Sequence, residues 1–300
     1  ANFGEAIEAY GDLLKSLRRG EEDEYSALVS VSLAKCQKQQ NNPLMEALYY
    51  HRAGRFFLHF QKQISNTDSP TYQESSEMGL ECYLAAVSVY LEQKRFAMAA
   101  SLYYELADFW LSTSRTVEAS QYFERAAELQ QAENAMSAIA SLKRSFECDL
   151  LNKNYTHAGP MLQLIIKLST EQSTLNSDTF YIDIKIESLV SLVLLNILQG
   201  DFEQARIGNR FLQKTHGGDP NAINSTASGK LAKLIKGRAP IHADIFFSSA
   251  WFFEMADALT DAVESKSERE VILIQCELGS VLTESQNQMI LGPILESLRG

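Results

Sequence analysis

The segment YYELADFWLSTSRTVEASQYFERAAEL, residues 103–129, places large apolar residues and small alanines at helical spacing on both sides of a polar break. Tyr103, Leu106, Ala107 and Trp110 form the pattern before the break, and Ala119, Phe123 and Ala126 form it after the break. Small residues let two helix backbones approach closely, and large residues fill the space beside them. The segment therefore predicts two helices packed as a hairpin.

The same pattern recurs along the chain, which indicates an array of hairpins. Tetratricopeptide repeats are such units, each of about 34 residues. The other matches are Tyr83, Ala86, Val87 and Tyr90 before Phe96, Ala99, Tyr103 and Leu106, with further partial units that begin at Tyr155 and Phe202. Their spacing is irregular, so the repeat is degenerate. We predict an all-α, tetratricopeptide-like α-solenoid of helical hairpins with a C-terminal helical piece.

Helical periodicity continues through most of the chain. The predicted helices are 4–19, 22–40, 43–64, 72–93, 95–112, 115–131, 134–152, 155–169, 180–199, 202–215, 228–236, 240–264, 267–281 and 283–298. FYIDIKIESL at 180–189 alternates partly like a strand, but its apolar spacing continues to Leu198 and favours helix. Two polar segments, 169–179 and 215–229, have little to bury and are predicted to be weakly ordered. These features predict a helical array over 1–215, a polar and basic linker over 216–239, and acidic C-terminal helices over 240–300 that continue the array.

Composition limits the classes of function. The net charge of −11 argues against a nucleic-acid binder and against attachment to an anionic membrane. The longest apolar run, LVSLVLLNIL at 189–198, is about half of the roughly 18 residues that a spanning helix needs. The four cysteines are widely separated, which favours free thiols in a reducing compartment. The chain begins at Ala1, which leaves the position of the native N-terminus open.

Catalytic motifs are scarce in this sequence. The five histidines form no HExxH motif and no metal-spaced cluster with cysteine, and there is no GxSxG nucleophile elbow. Gly229-Lys230 lacks the rest of a phosphate-binding loop. We therefore expect no catalytic residue, no cofactor and no metal, and a protein that is not an enzyme.

The C-terminal fifth carries most of the negative charge. Residues 241–300 contain ten carboxylates against three basic residues. Glu254, Asp257, Asp261 and Glu264 recur three or four residues apart and share one helix face. Trp251, Phe252 and Phe253 precede them and surround more of the helix than a single narrow core stripe requires. These seven residues are predicted to bind a basic partner, while a solvated acidic face and ordinary core packing remain the alternatives.

Several segments carry a family resemblance. DEYSALVSVSLAKCQKQQNNPLMEALYYHRAGRFFL at 23–58 resembles the early helices of the 40-kDa huntingtin-associated protein family, and NKNYTHAGPMLQLIIKLS at 152–169 and IESLVSLVLLNILQ at 186–199 resemble its later repeats. ALTDAVESKSEREVILIQCELGSVLTESQNQMILGPILES at 258–297 is similar to the family's C-terminal end. In place of the long proline-rich insert of the vertebrate members, only 169–179 is present. Contacts made through that insert therefore do not transfer to this chain.

The resemblance implies a non-enzymatic partner of huntingtin. Family members are solenoids that dock in a cleft between huntingtin's helical arrays and its bridging domain, and stabilise it. For this chain the resemblance implies a 1:1 complex, a link to an early-endosomal small GTPase in vesicle trafficking, and a location in the cytoplasm, at early endosomes and in the nucleus. Met289 and Ile294, in the tail that carries the resemblance, are added to the expected partner-binding residues.

Two alternatives belong to other classes of binding protein. A generic tetratricopeptide adaptor would bind short peptides, but holding a peptide carboxylate needs inward basic residues where this chain has Tyr83, Val87, Tyr90 and Trp110. A vesicle-fusion attachment factor also has helical repeats and an acidic helical end. The tail LTESQNQMIL argues against that alternative.

Overall fold

The computed structural model describes residues 3–20, 22–64, 71–176, 179–216, 249–279 and 282–299, and within these ranges the chain is helical without a strand. The helices are α1 (Phe3–Arg19), α2 (Asp23–Gln39), α3 (Pro43–Ile64), α4 (Thr71–Glu92), α5 (Phe96–Ser112), α6 (Thr116–Gln130), α7 (Ala135–Leu151), α8 (Tyr155–Asn176), α9 (Thr179–Gln199), α10 (Phe202–His216), α11 (Ser249–Glu264), α12 (Glu268–Leu278), α13 (Glu284–Gln286), a π-helical turn (Asn287–Leu291) and α14 (Gly292–Arg299). The predicted all-α, tetratricopeptide-like fold is confirmed.

The chain divides into two compact units, Ala1–Ser141 and Leu142–Gly300, and the division falls within α7. In the first unit the closest packing joins α2 to α3, α3 to α4, and α5 to α6. In the second unit α8 packs on α9, α9 on α10, α10 on α11, and α11 on α12. Most of these helices thus pack mainly on their sequence neighbours, as helical repeats require. The predicted linker 216–239 lies, beyond its first residue, outside the described residues, so its place as a boundary stays a prediction.

The predicted hairpin of residues 103–129 is α5 followed by α6. Its first-helix residues Leu106, Ala107 and Trp110 and its second-helix residues Ala119, Phe123 and Ala126 are all buried. Two aromatic pairs also join the helices: Tyr103 stacks on Tyr122 with ring centroids 6.0 Å apart, and Tyr104 meets Phe123 edge-on at 5.0 Å. The small residues allow this approach, and the large ones fill the interface.

Most turns between neighbouring helices use one device. A single residue in the left-handed region ends the helix, and the N–H of the next residue donates to the carbonyl five residues earlier. The left-handed residues are Asn41, Lys94, Ser114, Lys153, Gly200 and Lys266, with φ between 54° and 77°. The matching hydrogen bonds include Arg95 to Tyr90 at 2.8 Å and Arg115 to Trp110 at 2.9 Å. Because glycine occupies this conformation without strain, the five other residues cost stability at these turns.

Helices α3 and α4 approach closely at two glycines. A Cβ atom on Gly54 would lie 2.6 Å from Cδ2 of Tyr83, and one on Gly79 would lie 2.7 Å from Cδ2 of Leu58. Both distances are shorter than van der Waals contact, so only glycine fits without a shift. This approach seats Tyr83 of α4 firmly against α3.

The structure corrects the prediction that 169–179 is weakly ordered for residues 169–176 and 179, while residues 177 and 178 lie outside the described part of the chain. Helix α8 continues to Asn176, and Ser169 is buried. The hydroxyls of Thr170 and Ser173 donate to the carbonyls of Ile166 and Thr170, which satisfies these polar side chains inside the helix. The helical interpretation of 180–189 is confirmed by α9. Of the segment 215–229, predicted to be weakly ordered, residues 215 and 216 belong to α10. Residues 217–229, the predicted helix at 228–236 and the first nine residues of the predicted helix at 240–264 lie outside the described part of the chain.

Candidate protein-binding surfaces

The first unit contains a pocket of about 510 Å³ between α2, α3, α4 and α5, which we call the charged pocket because several charged side chains line it. Glu105 of α5 is its central charged group. Its carboxylate accepts from Nε of Arg55 at 2.9 Å and lies 2.8 Å from Nε2 of His51. Burial alone would raise the pKa of Glu105, but hydrogen bonds from His51 and Tyr83 and the charge of Arg55 outweigh it and hold that pKa below its ordinary value. Glu105 is therefore ionised at neutral pH.

A second group of polar side chains in the charged pocket is paired in the same way. Oδ2 of Asp23 lies 2.6 Å from Nδ1 of His59 and accepts from Nε2 of Gln63 at 3.2 Å. The ammonium of Lys62 lies 5.3 Å from the ring centroid of Phe109. Arg55 is committed to Glu105, so it is not available to hold a peptide carboxylate. This pairing weakens the generic peptide-adaptor alternative.

In the second unit, the predicted acidic stripe of α11 contacts α10. The guanidinium of Arg206 donates to Asp261 at 2.8 Å and also to Glu264, and Nδ2 of Asn209 donates to Asp257 at 2.7 Å. The side chains of Asp261 and Glu264 are still 71% and 50% exposed. The stripe therefore fixes α11 on α10 with one edge and faces solvent with the other. Periodicity located the stripe, but no sequence pattern indicated that it pairs with Arg206.

The remaining expected partner-binding residues have different surroundings. Glu254 is exposed on α11. Ile294 is fully buried in the second unit, where it acts as a core residue. The side chains of Trp251, Phe252, Phe253 and Met289 lie outside the described part of the structure, although their backbone is helical.

Sequence reasoning missed a groove between α11 and α12, which we call the acidic groove. It has a volume of about 470 Å³, and its lining includes Asp261, Glu270, Leu273 and Ile274. Leu273 is 59% exposed, so the groove presents an exposed apolar residue together with the carboxylates of Asp261 and Glu270. One sequence pattern could have indicated this groove. Glu270, Leu273 and Glu277 are spaced i, i+3, i+7, which places them on one face of α12.

The tail LTESQNQMIL makes internal contacts. Thr283 and Gln286 form a capping box at the start of α13. The side-chain amide of Gln286 donates to Oγ of Ser191 at 2.8 Å and to the carbonyl of Glu187 at 3.3 Å, which ties the tail to α9. Asn287 donates to the carbonyl of Gly279 at 2.8 Å. These tail residues, which belong to the segment that carries the family resemblance, thus position the C-terminal end of the second unit through internal contacts.

Among the described residues, no group of three His, Cys, Asp or Glu side chains could hold a metal ion. A search of the same residues finds no helix with the length and apolar character needed to cross a membrane. The four cysteines are all free.

Helical hairpins stacked along the chain in this way define the class of helical-repeat proteins. Residues 2–191 match the sequence profile of the soluble NSF attachment protein (SNAP) family. Because the match covers more than half of the chain, the chain belongs to that family.

Two curated relatives give a more particular likeness. The chain is 30% identical over 172 residues to the 40-kDa huntingtin-associated protein of Mus musculus, and equally to that of Rattus norvegicus. The match covers 57% of this chain and 45% of each relative, so the chain spans less than half of their length. The predicted resemblance is thus confirmed as a distant relationship.

Proposed function

We propose that this protein is a non-enzymatic binding subunit that forms a 1:1 complex with huntingtin and stabilises it. The observation that carries the proposal is the 30% identity over 172 residues to the 40-kDa huntingtin-associated protein. The proposal includes a trafficking role through an early-endosomal small GTPase, and a location in the cytoplasm, at early endosomes and in the nucleus. These finer features come from the relationship alone.

The acidic groove and the exposed edge of α11 are the proposed contact with a basic surface of huntingtin. Glu254 and Glu270 are exposed, as is Leu273, which lines the acidic groove. Exposed charges speed association, and the burial of an apolar anchor slows dissociation. The aromatic residues Trp251, Phe252 and Phe253 are proposed to add to that anchor.

The test measures association and dissociation rates with purified huntingtin at two salt concentrations. The variant Glu254→Lys with Glu270→Lys leaves the Arg206 contacts in place. It should associate about tenfold more slowly at low salt, with a smaller difference at high salt. The matched control is Glu5→Lys with Glu8→Lys on exposed positions of α1, which makes the same charge change in the other unit. Unchanged rates in the variant with Glu254→Lys and Glu270→Lys would show that this surface is not the contact with huntingtin. Failure of the wild type to bind huntingtin would reject the proposed function itself.

The match over residues 2–191 favours a second candidate function. The family description names attachment to NSF, so this chain is a candidate to bind NSF. A pull-down that offers NSF and huntingtin together to the immobilised chain separates the two candidates. Retention of NSF without huntingtin would favour the second.

A further inference from the structure

The acidic groove combines apolar lining with negative charge. Ala258, Ala262, Leu273 and Ile274 supply the apolar lining, and Leu273 is 59% exposed. Around them, residues 249–278 contain seven carboxylates and two basic residues. A segment that fills such a groove must bury apolar side chains and bring positive charge beside them.

The chain itself contains a segment of this chemistry. KLAKLIKGR, residues 230–238, has four basic residues and no acidic residue. Leu231, Leu234 and Ile235 are spaced i, i+3, i+4, which predicts one apolar helix face next to basic side chains. The segment belongs to 217–248, which lies outside the described part of the chain. Amphipathic segments with this spacing bind apolar grooves in many protein complexes.

The ends of α10 and α11 determine where this segment is attached. Arg206 of α10 contacts Asp261 of α11, whereas Asn209, further along α10, contacts Asp257, earlier on α11. The two helices therefore run antiparallel, and α10 ends near the start of α11. The chain leaves α10 and enters α11 at the same end of this helix pair.

The acidic groove is within reach of both attachment points. Asp261, which lines the groove, is about 18 Å along α11 from the first residue of that helix, at a rise of 1.5 Å per residue. The connections on the two sides of the segment are 217–229 and 239–248. At about 3.3 Å per residue they can span about 43 Å and about 33 Å. Either connection is thus long enough for residues 230–238 to meet the groove.

We propose that residues 230–238 bind in the acidic groove of the same chain, with their apolar face on Leu273 and their basic residues beside Asp261 and Glu270. A tethered ligand acts at an effective concentration on the order of millimolar, so contacts that are weak individually hold it in place. The inference uses the groove of the proposed huntingtin contact but does not rest on huntingtin binding. A basic partner must displace this segment before it occupies the groove.

The test measures binding of a fluorescent peptide with the sequence of residues 228–239 to the isolated 300-residue chain, by fluorescence anisotropy. In the variant Lys230→Glu with Lys233→Glu and Lys236→Glu, charge repulsion removes the internal segment from the groove. The peptide should bind this variant at least tenfold more tightly than the wild type, and the added substitution Glu270→Lys should reverse the gain. The matched control, Arg18→Glu with Arg19→Glu and Lys35→Glu, makes the same charge change at exposed positions of the first unit. It should bind the peptide as weakly as the wild type does.

Equal affinity of the peptide for the wild type and for both triple variants would show that the groove is not occupied by its own segment, which overturns the proposal. Absence of binding to all three proteins would overturn it too, because the groove would not recognise this sequence.

Carbodiimide cross-linking of the wild type, read by mass spectrometry, is a second measurement that decides even if a variant does not fold. It should join lysines of 230–236 to Asp261 or Glu270 within one chain. A mixture of 14N- and 15N-labelled protein identifies the chains that are joined. Absence of these links, or links that join labelled to unlabelled chains, would overturn the proposal, and the second result would assign the segment to the groove of another copy.

Discussion

At the scale of single residues, Glu105 ties together three helices of the first unit. Its carboxylate contacts His51 and Arg55 of α3 and Tyr83 of α4. A carboxylate with a depressed pKa stabilises the fold most above its unfolded pKa, and this stabilisation is lost as the pH falls through the folded pKa. Glu105 should therefore act as an acid-sensitive link between α3, α4 and α5.

Glu105→Gln should lower the free energy of unfolding by about 1 kcal/mol at pH 7, since hydrogen bonds to a charged group are lost at a partly exposed site. The difference in unfolding free energy between variant and wild type should reach its full size at pH values well above 4.5, the ordinary pKa of the carboxyl. It should shrink at lower pH. Urea unfolding at pH 7 and at pH 3.5 checks this. Glu128→Gln, which removes an exposed pair with Arg125, is the control and should change little. Equal effects of the two substitutions at both pH values would contradict the account.

The cysteines should differ strongly in reactivity. Burial raises the pKa of the Cys82 thiol to about 12, whereas Cys276 is exposed on α12. Cys82 is therefore almost entirely a thiol at pH 8, whereas the thiolate is the reactive form. Iodoacetamide at pH 8 should thus modify Cys276 first and leave Cys82 unmodified until the chain unfolds. Mass spectrometry of digests over time measures this order, and early modification of Cys82 would show that α4 is not packed as described.

At the scale of helices, substitutions at the left-handed turns should change the free energy of unfolding without altering the proposed partner-binding surfaces. Lys94→Gly and Lys153→Gly should each raise the free energy of unfolding by about 0.5 kcal/mol, because relief of the left-handed strain exceeds the added entropy of the unfolded chain. Gly200→Ala should have the opposite effect, with a loss of about 1 kcal/mol. Urea midpoints of the three variants provide the measurement. A loss of stability in both lysine variants would mean that these side chains contribute contacts that outweigh the strain.

The α3–α4 approach predicts a sharp difference between two glycines. Gly54→Ala should cost about 1–3 kcal/mol, because its Cβ would collide with Tyr83. Gly11→Ala in α1 has open space around it and should stabilise by about 0.5–1 kcal/mol. Thermal unfolding of both variants checks the contrast. A neutral Gly54→Ala would show that the two helices separate easily.

The sequence predicted the helices well because their apolar period is local. The α5–α6 hairpin could be inferred from Ala107 and Phe123, since both obey a spacing that needs no knowledge of the rest of the chain. Polar helix ends were harder: 169–176 has few apolar residues, yet its hydroxyls bond to their own helix. The contact of Arg206 with Asp261 could not be predicted, because the two residues are 55 positions apart and their helices meet only in the folded chain.

At the scale of the whole molecule, partner binding should change stability. The chain exposes large apolar residues in both units, among them Tyr25 and Leu273. Huntingtin should raise its melting temperature by several degrees, because a ligand that binds only the native state stabilises by mass action. Thermal scans with and without huntingtin measure the shift, with serum albumin as the matched addition. An isolated chain that is already highly stable and shows no shift would contradict the prediction.

The central claim is that this SNAP-family adaptor serves as a subunit of a huntingtin complex. The most direct measurement is quantitative affinity purification of the tagged, full-length protein from the cells that produce it, with protein amounts determined by mass spectrometry. The account predicts that huntingtin is recovered in equal molar amount and persists through a high-salt wash because of its apolar anchor. Recovery of NSF with no huntingtin, or of the tagged protein alone, would contradict the claim.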